Sequence, residues 1–476
     1  MKVCIFTECH KSTGRGHLTR CLSLTEEFLI RNIDSLLFID NNGNEVISQI
    51  DSRIIPLLWL SDIDLFKNKI KDADIVIIDS YLANDEYYRL ASIATKVPVF
   101  FDDYSRIQYP EGIIINGSPG IDENFYSSIQ INNTLLTGLL YQIVKPEFQK
   151  VSDRFHKPLI ENILITIGGK SNPVLLNSII SIVKEHQPLA TLHVIADEVI
   201  KDSSIKVYQH LSALEMSQLM KLCDFAITGA GQTIFELMIT GIPFIAMQTV
   251  DNQKYNASGL FEINDDIIIR NIENDLEKHL SKAIHFLVSQ KNRIELSENF
   301  QKLIDGHGAK RIVTEILKHG ISDWFTLRKA IDEDLMIIFN LSNESEVRKN
   351  SIWPEEISIT NHTAWFNKTI KDKSILFLIA EIKGVFAGQI RYRINGSNCT
   401  VGISVCSQFR GLSIGEKLLK ESIPFLKSEF PKVKVVNAWV KPENTGSNKL
   451  FIKAGYTLAK EKDPENYNAK KYIFNI

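Results

Sequence analysis

The strongest constraint on the fold of this chain is an alternation of short apolar runs with longer helical stretches, which starts at the N-terminus and starts again near residue 160. The first series contains VCIFT, SLLFID, IVIID and VPVFFDD, and the second contains NILITIGG, TLHVIAD, FAITGAG and PFIAMQ. Apolar runs of this length, with helices between them, are typical of βαβ units around a parallel sheet. Two series predict two doubly wound halves that bind ligands at the carboxyl ends of their strands.

The spacing of the apolar segments changes near residue 320. Four apolar segments follow in closer succession, ILFLIAEI, VFAGQIRYRI, CTVGISV and KVVNAWV, and they predict a mixed α+β domain. The length of 476 residues accommodates three domains of about 150 residues each. We therefore predict an α/β protein with domains at residues 1–148, 149–319 and 322–476, the last joined through a short segment near 319–324.

The chain has 54 Lys and Arg residues and 57 Asp and Glu residues, which gives a net charge of −3. This balance excludes a general electrostatic attraction to nucleic acid or to an anionic membrane. Any anionic ligand must then be bound by local groups. The six cysteines have no CxxC spacing and are typical of reduced thiols. No segment approaches the roughly 18 to 20 apolar residues of a membrane span. We expect a cytoplasmic protein without nucleic-acid or membrane partners.

A glycine-rich loop with a histidine, Thr13 to His17, follows the first predicted strand. Gly14 and Gly16 allow a ligand to approach the backbone closely, and the N-terminus of the following helix favours negative charge. A histidine there can act as a general base near neutral pH. His17 is therefore a candidate base, although a histidine that caps a turn fits the same position.

The second series contains a loop of small residues, Thr228 to Thr233, that leads into a predicted helix. Its backbone amides can bind a diphosphate without a lysine or a metal. Glu236 lies in the first turn of that helix, where a carboxylate can bind both hydroxyls of a ribose. The helix dipole alone also favours an acidic residue there. Gly168 and Gly169 end another strand and form a second point of close approach.

Seven sequence blocks resemble the GT-B nucleotide-sugar fold, and more closely the UDP-sugar hydrolase family of pseudaminic acid biosynthesis. The blocks are GRGHLTRC, IIDSY, FDDYSR, ITIGG, GAGQTIFELMITGIP, DNQ and DGHGAKRI, within residues 1–318. The resemblance implies that His17 activates a water molecule, which attacks the anomeric carbon and expels UDP with inversion. It also implies the residues that contact the UDP-sugar, namely Gly14, Gly16, Arg20, Tyr81, Gly168, Gly169, Gly231, Gln232, Thr233, Glu236, Asn252 and Gln253.

Four acidic residues near these blocks have more than one interpretation. The family's first strand usually ends in Arg-Ala-Asp, whereas this chain has Phe6-Thr7-Glu8. Glu8 can stand in for the acid, and the missing arginine leaves the identity of the sugar open. Asp79 lies either at the rim of the site or at the cap of the next turn. Asp102 and Asp103 are adjacent, and we expect no metal there because successive side chains at a strand end point apart.

A further loop, Ser407 to Gly415, follows the predicted strand CTVGISV and leads into a helix, where successive amides can bind a pyrophosphate. This loop resembles the Q/R-x-x-G-x-G/A block of the GNAT acetyltransferases, and the segment from Asn444 to Tyr456 resembles the end of that family's domain. The resemblance implies acetyl-CoA as co-substrate. It implies as its binding residues Ile403, Val405, Arg410, Gly411, Ser413, Ile414, Gly415 and Asn444.

Two features bear on the chemistry of this last domain. Phe451 stands where many family members have a tyrosine that protonates the leaving thiolate, and phenylalanine cannot donate a proton. The segment 346–368 resembles the acceptor side of the amino-sugar acetyltransferases, which implies that His362 and Trp365 lie near the acceptor. Their spacing of three residues suits a packed helix face equally well.

The two resemblances together imply a bifunctional enzyme. It would N-acetylate the 4-amino group of a UDP-4-amino-4,6-dideoxy-HexNAc with acetyl-CoA, and then hydrolyse the resulting UDP-2,4-diacetamido-2,4,6-trideoxyhexose to free sugar and UDP. The alternative is a GT-B glycosyltransferase with a UDP-sugar donor and a GNAT-like module that is not catalytic. We expect no metal cofactor.

Overall fold

The computed structural model describes residues 1–10, 13, 15–42, 51–121, 123–127, 133–148, 154–168, 173–196, 202, 204–209, 211–459 and 469–476. These residues divide into two compact units. The larger unit consists of Lys2–Leu29 and Ile33–Ile316, and the smaller unit consists of Met1, Ile30–Asn32 and Leu317–Ile476.

The first half of the larger unit forms a parallel sheet with helices between its strands. Its strands are β1 (Val3–Glu8), β2 (Ser35–Asp40), β3 (Ile54–Pro56), β4 (Ile75–Asp79), β5 (Val97–Phe101), β6 (Ile113–Asn116) and β7 (Thr134–Thr137). Its helices are α1 (Gly16–Ile30), α2 (Ile63–Ile70), α3 (Asp85–Ala94) and α4 (Glu123–Ser127). The strand order is β3-β2-β1-β4-β5-β6-β7, and each neighbouring pair is parallel.

The second half repeats this architecture. Its strands are β8 (Asn162–Thr166), β9 (Thr191–Ile195), β10 (Ile205–Tyr208), β11 (Phe225–Gly229), β12 (Phe244–Met247) and β13 (Ile268–Ile269). Its helices are α5 (Pro173–His186), α6 (Ala213–Leu222), α7 (Thr233–Thr240), α8 (Lys254–Ile263), α9 (Leu276–Val288) and α10 (Gln290–Leu303). The order is β10-β9-β8-β11-β12-β13, again with parallel pairing.

Both sheets have a switch point, where the strand order reverses, between their two central strands. These are β1 and β4 in the first sheet and β8 and β11 in the second. The central strands read as continuous apolar runs because helices cover both faces, and all residues of β4 and β11 are buried. Ligands of open α/β sheets bind beyond the carboxyl ends of the strands at such a point. The structure confirms the two Rossmann-like halves expected from the sequence.

The smaller unit contains a mixed sheet. Its strands are β14 (Phe325–Lys329), β15 (Ile375–Ile382), β16 (Val385–Asn395), β17 (Asn398–Val405), β18 (Val435–Val440), β19 (Thr457–Leu458) and β20 (Lys470–Asn475), in the order β14-β15-β16-β17-β18-β20-β19. Its helices are α12 (Leu335–Asn343), α13 (Ser345–Asn350), α14 (Ile359–Lys371), α15 (Ile414–Glu429) and α16 (Thr445–Lys453). Strands β17 and β18 are parallel and pair only from Asn398↔Val435 to Thr400↔Asn437. Beyond Thr400 the two strands no longer pair, so the rest of β17, up to Val405, has no paired strand on the side of β18.

A helix, α11 (Gly308–Trp324), runs through the segment 319–324 where the sequence suggests a joint. Gly320 lies within the helix, and a Cβ there would lie only 2.2 Å from the Trp324 ring, so glycine makes room for the indole one turn later. Strand β14 then begins directly at Phe325. Of the described helices, none is long and apolar enough to cross a membrane.

Candidate active sites

His17 and Asp79 form a buried pair at the switch point of the first sheet. Thr7 of β1 lies opposite Asp79 of β4, so the end of β4 lies beside the start of α1, which begins with Gly16 and His17. His17 Nδ1 lies 2.5 Å from Asp79 Oδ1. A carboxylate at Nδ1 favours the tautomer with its proton on that atom. Nε2, which has no hydrogen-bond partner in the described part of the chain, is left to accept a proton. Gly14 lies outside the described residues.

The charges around His17 determine its pKa. Burial lowers this pKa, but the carboxylates of Asp79 and Asp103 outweigh burial and hold it above the ordinary value of 6.5, with Arg20 opposing them. Burial also opposes ionisation of Asp79, yet Arg20 and His17 keep the pKa of that carboxyl well below its usual range. The carboxylate therefore stays ionised, and the imidazole loses its proton at a higher pH than a free histidine.

Arg20 links the carboxylates at the ends of β4 and β5. Its Nε donates to Asp79 Oδ2, and its Nη2 lies 2.6 Å from Asp79 Oδ1. Its Nη1 and Nη2 donate to Asp103 Oδ1 and Oδ2 at 2.8 and 3.0 Å. The Tyr81 hydroxyl donates to Asp103 Oδ2 at 2.5 Å, and the Tyr81 ring meets His17 edge-on at 4.2 Å between centroids. These five side chains, the His17 network, fix the orientation of the imidazole.

The two other acids near this network have structural partners. Glu8 Oε1 accepts the Tyr81 backbone N–H at 2.8 Å, and burial raises the pKa of Glu8. Asp102 accepts the backbone N–H of Ser105 at 2.9 Å and the hydroxyl of Tyr126, and so caps the turn after β5. Asp102 and its neighbour thus turn to different partners.

The glycine loops of the second half leave the backbone open to a ligand. Gly168 follows β8 with φ +104°, a conformation that favours glycine, and no atom lies within 4 Å of the position a Cβ would take. At Gly231 that position lies 3.5 Å from Gln253 Nε2. Gln253 is itself held by the Thr249 backbone N–H, which donates to its Oε1 at 2.9 Å. Gly169 lies outside the described residues.

The Gln232 side chain turns away from this loop. Its Nε2 donates to the Ile143 carbonyl at 2.9 Å, and its Oε1 accepts from Gln142 Nε2 at 3.1 Å. Both partners belong to the segment that links the two halves, so the Gln232 side chain ties α7 to that link. Only its backbone is left for a diphosphate. Thr233 is the first residue of α7, and Asn252 is exposed in a short 3-10 turn.

Glu236 lies half-buried in the first turn of α7. Burial raises its pKa to about 7, although Lys145 opposes the shift. The side chain therefore titrates near neutral pH. Its ionised form can accept hydrogen bonds from the two hydroxyls of a ribose, as the sequence predicts.

The smaller unit contains a cavity of about 1340 Å³. All ten residues that the GNAT resemblance singles out line this cavity. They are Ile403, Val405, Arg410, Gly411, Ser413, Ile414, Gly415, Asn444, His362 and Trp365. The cavity includes the edge of β17 beyond its last pair with β18, where a thioester can reach the sheet.

The loop before α15 has the shape of a phosphate cradle. Gly411 has φ +83° and Ser413 has φ +59°, and α15 then begins at Ile414 with free backbone N–H groups. The Arg410 side chain supports the loop from behind. Its Nε donates to the Val405 carbonyl at 3.1 Å, and its Nη2 lies 2.6 Å from Glu344 Oε2.

Two residues of the segment after β18 have structural partners. Asn444 caps α16, since its Oδ1 accepts the Ser447 N–H at 2.9 Å, while the residue also lines the cavity. Phe451 is only 3% exposed and stacks on Tyr472 at 5.8 Å between ring centroids. It does not line the cavity, so the position of the expected tyrosine is packed inside the domain.

The part of the cavity around His362 and Trp365 combines aromatic packing with an unpaired polar atom. His362 is 1% exposed and packs against Trp365 at 5.2 Å between ring centroids. Burial lowers its pKa, and its Nε2 has no hydrogen-bond partner among the described residues. His362 is therefore packed against Trp365 and also lines the cavity, and its position beside an acceptor stays a prediction.

The structure adds residues that the sequence argument missed. Asp103 completes the His17 network, Gln142 binds Gln232, and Gln389 and Arg391 line the cavity beside Trp365. A signal for the last two exists in VFAGQIRYRI, where polar residues at every second position of a strand share one face.

Comparisons with known proteins agree with this division. Residues 325–457 match the acetyltransferase (GNAT) domain family. An uncharacterised protein of Methanocaldococcus jannaschii is 25% identical and aligns over 97% of this chain and 98% of its own length. The Helicobacter pylori pseudaminic acid cytidylyltransferase and UDP-2,4-diacetamido-2,4,6-trideoxy-beta-L-altropyranose hydrolase is 26% identical over 55% of this chain and 48% of that protein. The spore coat polysaccharide biosynthesis protein SpsG of Bacillus subtilis is 25% identical over 67% of this chain and 98% of that protein.

These matches confirm both resemblances seen in the sequence, and the match to an acetyltransferase domain confirms acetyl-CoA as the expected co-substrate. The chain is thus a fusion of a region similar to the UDP-sugar hydrolases of pseudaminic acid biosynthesis with a C-terminal acetyltransferase (GNAT) domain.

Proposed function

We propose that this chain carries out two consecutive reactions on a nucleotide sugar. The GNAT domain acetylates the 4-amino group of a UDP-4-amino-4,6-dideoxy-HexNAc. The larger unit then hydrolyses the UDP-2,4-diacetamido-2,4,6-trideoxyhexose to UDP and the free sugar. The similarity to the Helicobacter pylori protein, whose name includes hydrolysis of such a sugar, supports this substrate class.

The His17–Asp79 pair is the observation that carries the hydrolytic half of the proposal. Neutral His17 takes a proton from water at Nε2 while the water oxygen bonds to the anomeric carbon. The bond from that carbon to the β-phosphate oxygen breaks, and its electron pair leaves with UDP. Asp79 at 2.5 Å stabilises the imidazolium that forms. The proton then passes to solvent.

Backbone donors are suited to the departing diphosphate. The loop that ends at Gly231 leads into α7, and the N-terminal amides of a helix favour an anion. The open Gly168 lies at the end of the neighbouring strand β8. Glu236, three residues into the same helix, is assigned to the ribose. Together these groups hold UDP at the switch point of the second sheet.

The cavity of the smaller unit is the observation that carries acetylation. The acetyl-CoA pyrophosphate binds the loop from Gly411 to Gly415, and the thioester lies along the free edge of β17. The neutral amine of the acceptor attacks the carbonyl carbon, the carbon–sulfur bond breaks, and the nitrogen loses its proton. Phe451 cannot protonate the thiolate, so that proton comes from water, from the amine or from another group of the site.

Incubation of the protein with a panel of UDP-4-amino sugars, acetyl-CoA and ¹⁸O-labelled water tests both steps. We expect CoA release first, followed by UDP release, with the label in the free sugar. UDP release without label in the sugar would favour glycosyl transfer to another acceptor. Absence of acetyl transfer to every amino sugar would favour a GNAT-like module without catalysis.

Two variants separate the steps. His17→Ala removes the base, and we expect UDP release to fall by about 10² to 10⁴ while acetylation persists. Gly415→Trp fills the cradle, because even a Cβ there would lie 2.9 Å from Leu450 Cδ2, and we expect acetylation to be lost while hydrolysis of the acetylated donor persists. Loss of both reactions in either variant would contradict two independent sites.

A further inference from the structure

Arg391 is a cation without a counter-ion in the wall of the GNAT cavity. It lies on β16 and lines the cavity together with Gln389, two residues before it on the same face. Within the described residues it has no hydrogen bond and no ion pair. Five carboxylates also line the cavity, those of Glu346, Glu355, Glu356, Glu416 and Glu443, but among the described residues none pairs with this guanidinium.

The surroundings of Arg391 hold its position without neutralising its charge. The guanidinium lies over the Trp365 ring at 4.8 Å and over the Phe377 ring at 6.0 Å from the centroids. Gly402 on the paired strand leaves space beside it, since a Cβ there would lie 3.9 Å from Nη2. Burial, and then the charge of Arg393, lower the pKa of Arg391 to about 10. Arg391 is half-buried, so its guanidinium is partly removed from water and is stabilised when a ligand supplies the opposite charge.

Neighbouring polar atoms also lack partners. Gln389 Oε1 and His362 Nε2 are buried, and neither has a hydrogen-bond partner in the described part of the chain. Both residues line the cavity with Arg391. Buried polar atoms are nearly always paired in folded proteins. Two buried polar atoms without a partner and one half-buried cation without a counter-ion, all lining one cavity, therefore indicate a polar ligand with an anionic group.

The anion is distinct from the pyrophosphate of acetyl-CoA. That group belongs to the cradle from Gly411 to Gly415, which follows the end of β17 at Val405. Arg391 instead lies opposite Gly402 of β17 in the sheet. Gly402 is about 10 Å before Val405 along that strand. On its other side Arg391 faces Trp365 of α14, the helix expected near the acceptor.

We propose that Arg391 binds a phosphate of the acceptor, and so selects nucleotide-linked amino sugars over free ones. This inference rests on the function proposed above, since it concerns the acceptor of the same acetyl transfer. The planar guanidinium suits a diphosphate because it can donate two parallel hydrogen bonds. Gln389 and His362 then accept hydrogen bonds from hydroxyl or amide groups of the acceptor.

A direct test uses the fluorescence of Trp365 in the full-length protein. UDP is titrated in the presence of saturating acetyl-CoA, and the signal of Trp365 is obtained by difference with Trp365→Phe. We expect a saturable change in the wild type and an affinity weakened about tenfold to hundredfold in Arg391→Met. Arg393→Met removes the exposed arginine two residues along the same strand, and we expect no such loss.

Steady-state kinetics supply the second readout. Arg391→Met is expected to raise KM for the UDP-linked amino sugar at least tenfold, with Arg391→Lys intermediate, and to leave KM for acetyl-CoA and for the free amino sugar unchanged. Unchanged KM for acetyl-CoA also verifies that the variant is folded. An equal loss toward all acceptors would mean that Arg391 only packs against Trp365, and would overturn the proposal.

The outcomes distinguish this proposal from the function on which it rests. A UDP signal that depends on Arg391, without acetyl transfer to any UDP-amino sugar, would leave the phosphate site standing and refute the function. Efficient transfer to the UDP-linked sugar that is insensitive to Arg391→Met would refute the phosphate site alone. The phosphate site would also be refuted if UDP gave no signal in the wild type. The same conclusion would follow if acetyl-CoA gave a signal that Arg391→Met abolishes.

Discussion

At the scale of single residues, the His17 network is balanced in charge only when the imidazole is protonated. Asp79 and Asp103 contribute two negative charges, and Arg20 contributes one positive charge. A protonated His17 brings the sum to zero, whereas neutral His17 leaves it at −1. In the proposed hydrolysis, the network therefore opposes formation of the base before substrate arrives, and it stabilises the imidazolium once water has been deprotonated.

Asp79→Asn tests this balance. Removal of the carboxylate leaves burial as the main influence on His17, and burial lowers its pKa. A general base works only when it is deprotonated, so hydrolysis rises with pH through the pKa of His17. We expect the rising limb of the pH–rate profile to lie above pH 6.5 in the wild type and to move down in the variant, with kcat reduced about a hundredfold or more.

The measurement is UDP release from pH 5 to pH 9, and Asp85→Asn, at an exposed position in α3, is the matched control. A rising limb at the same pH in the wild type and in Asp79→Asn would contradict the assigned roles.

Glu236 gives a second prediction at this scale. Its pKa of about 7 means that the carboxyl is protonated below that pH and ionised above it. An ionised carboxylate accepts hydrogen bonds from ribose hydroxyls more strongly. Affinity for uridine, measured by calorimetry, is therefore expected to rise between pH 6 and pH 8.

Uridine is the ligand for this measurement because it has no phosphate that titrates in the same range. Glu236→Gln should remove the rise. A Glu236→Gln protein that keeps the same dependence on pH would show that the carboxylate does not bind the ribose.

At the scale of elements, Gly411 controls the start of α15. Its φ of +83° lies in the region that costs other residues about 1 to 2 kcal/mol. Gly411→Ala meets no neighbouring atom within 4 Å, so it strains the backbone without a clash. We expect KM for acetyl-CoA to rise about fivefold to thirtyfold, with UDP release from the acetylated donor unchanged.

Gly446→Ala is the control for this change. Gly446 also lines the cavity, but it lies within α16 without a positive φ. Equal effects of the two substitutions would mean that the conformation of Gly411 does not shape the cradle.

The elements themselves could be predicted from the sequence because their signals are local. Apolar runs such as IVIID mark strands that helices cover on both faces. A loop of small residues before a helix, as at Gly231 or Gly411, is likewise visible in the sequence.

The partners of individual side chains could not be predicted, because they depend on which strands lie side by side. Arg20 of α1 donates to Asp103, which follows β5, because α1 and the end of β5 lie close together in the fold. The Gln232 side chain is bonded to Gln142 and turns away from the loop that contains Gly231. Arg391 is one of several arginines in the sequence, and its lack of a counter-ion is visible only in three dimensions.

At the scale of the whole molecule, each proposed reaction uses residues of one compact unit. The His17 network and the glycine loops belong to the larger unit, and the acetyl-CoA cradle and Arg391 belong to the smaller one. The two steps can therefore be supplied by different copies of the chain. A fused chain gains a higher local concentration of the acetylated intermediate.

Mixing two defective full-length variants tests this. His17→Ala should still acetylate, and Gly415→Trp should still hydrolyse, so an equimolar mixture should restore free sugar from UDP-amino sugar and acetyl-CoA. Because the intermediate must diffuse between molecules, we expect a lag in sugar release that lengthens on dilution of the mixture. This lag is measured from time courses of CoA and UDP release at several protein concentrations. A mixture that releases CoA but no sugar would mean that the intermediate cannot leave the chain that made it, and that the two units do not act independently.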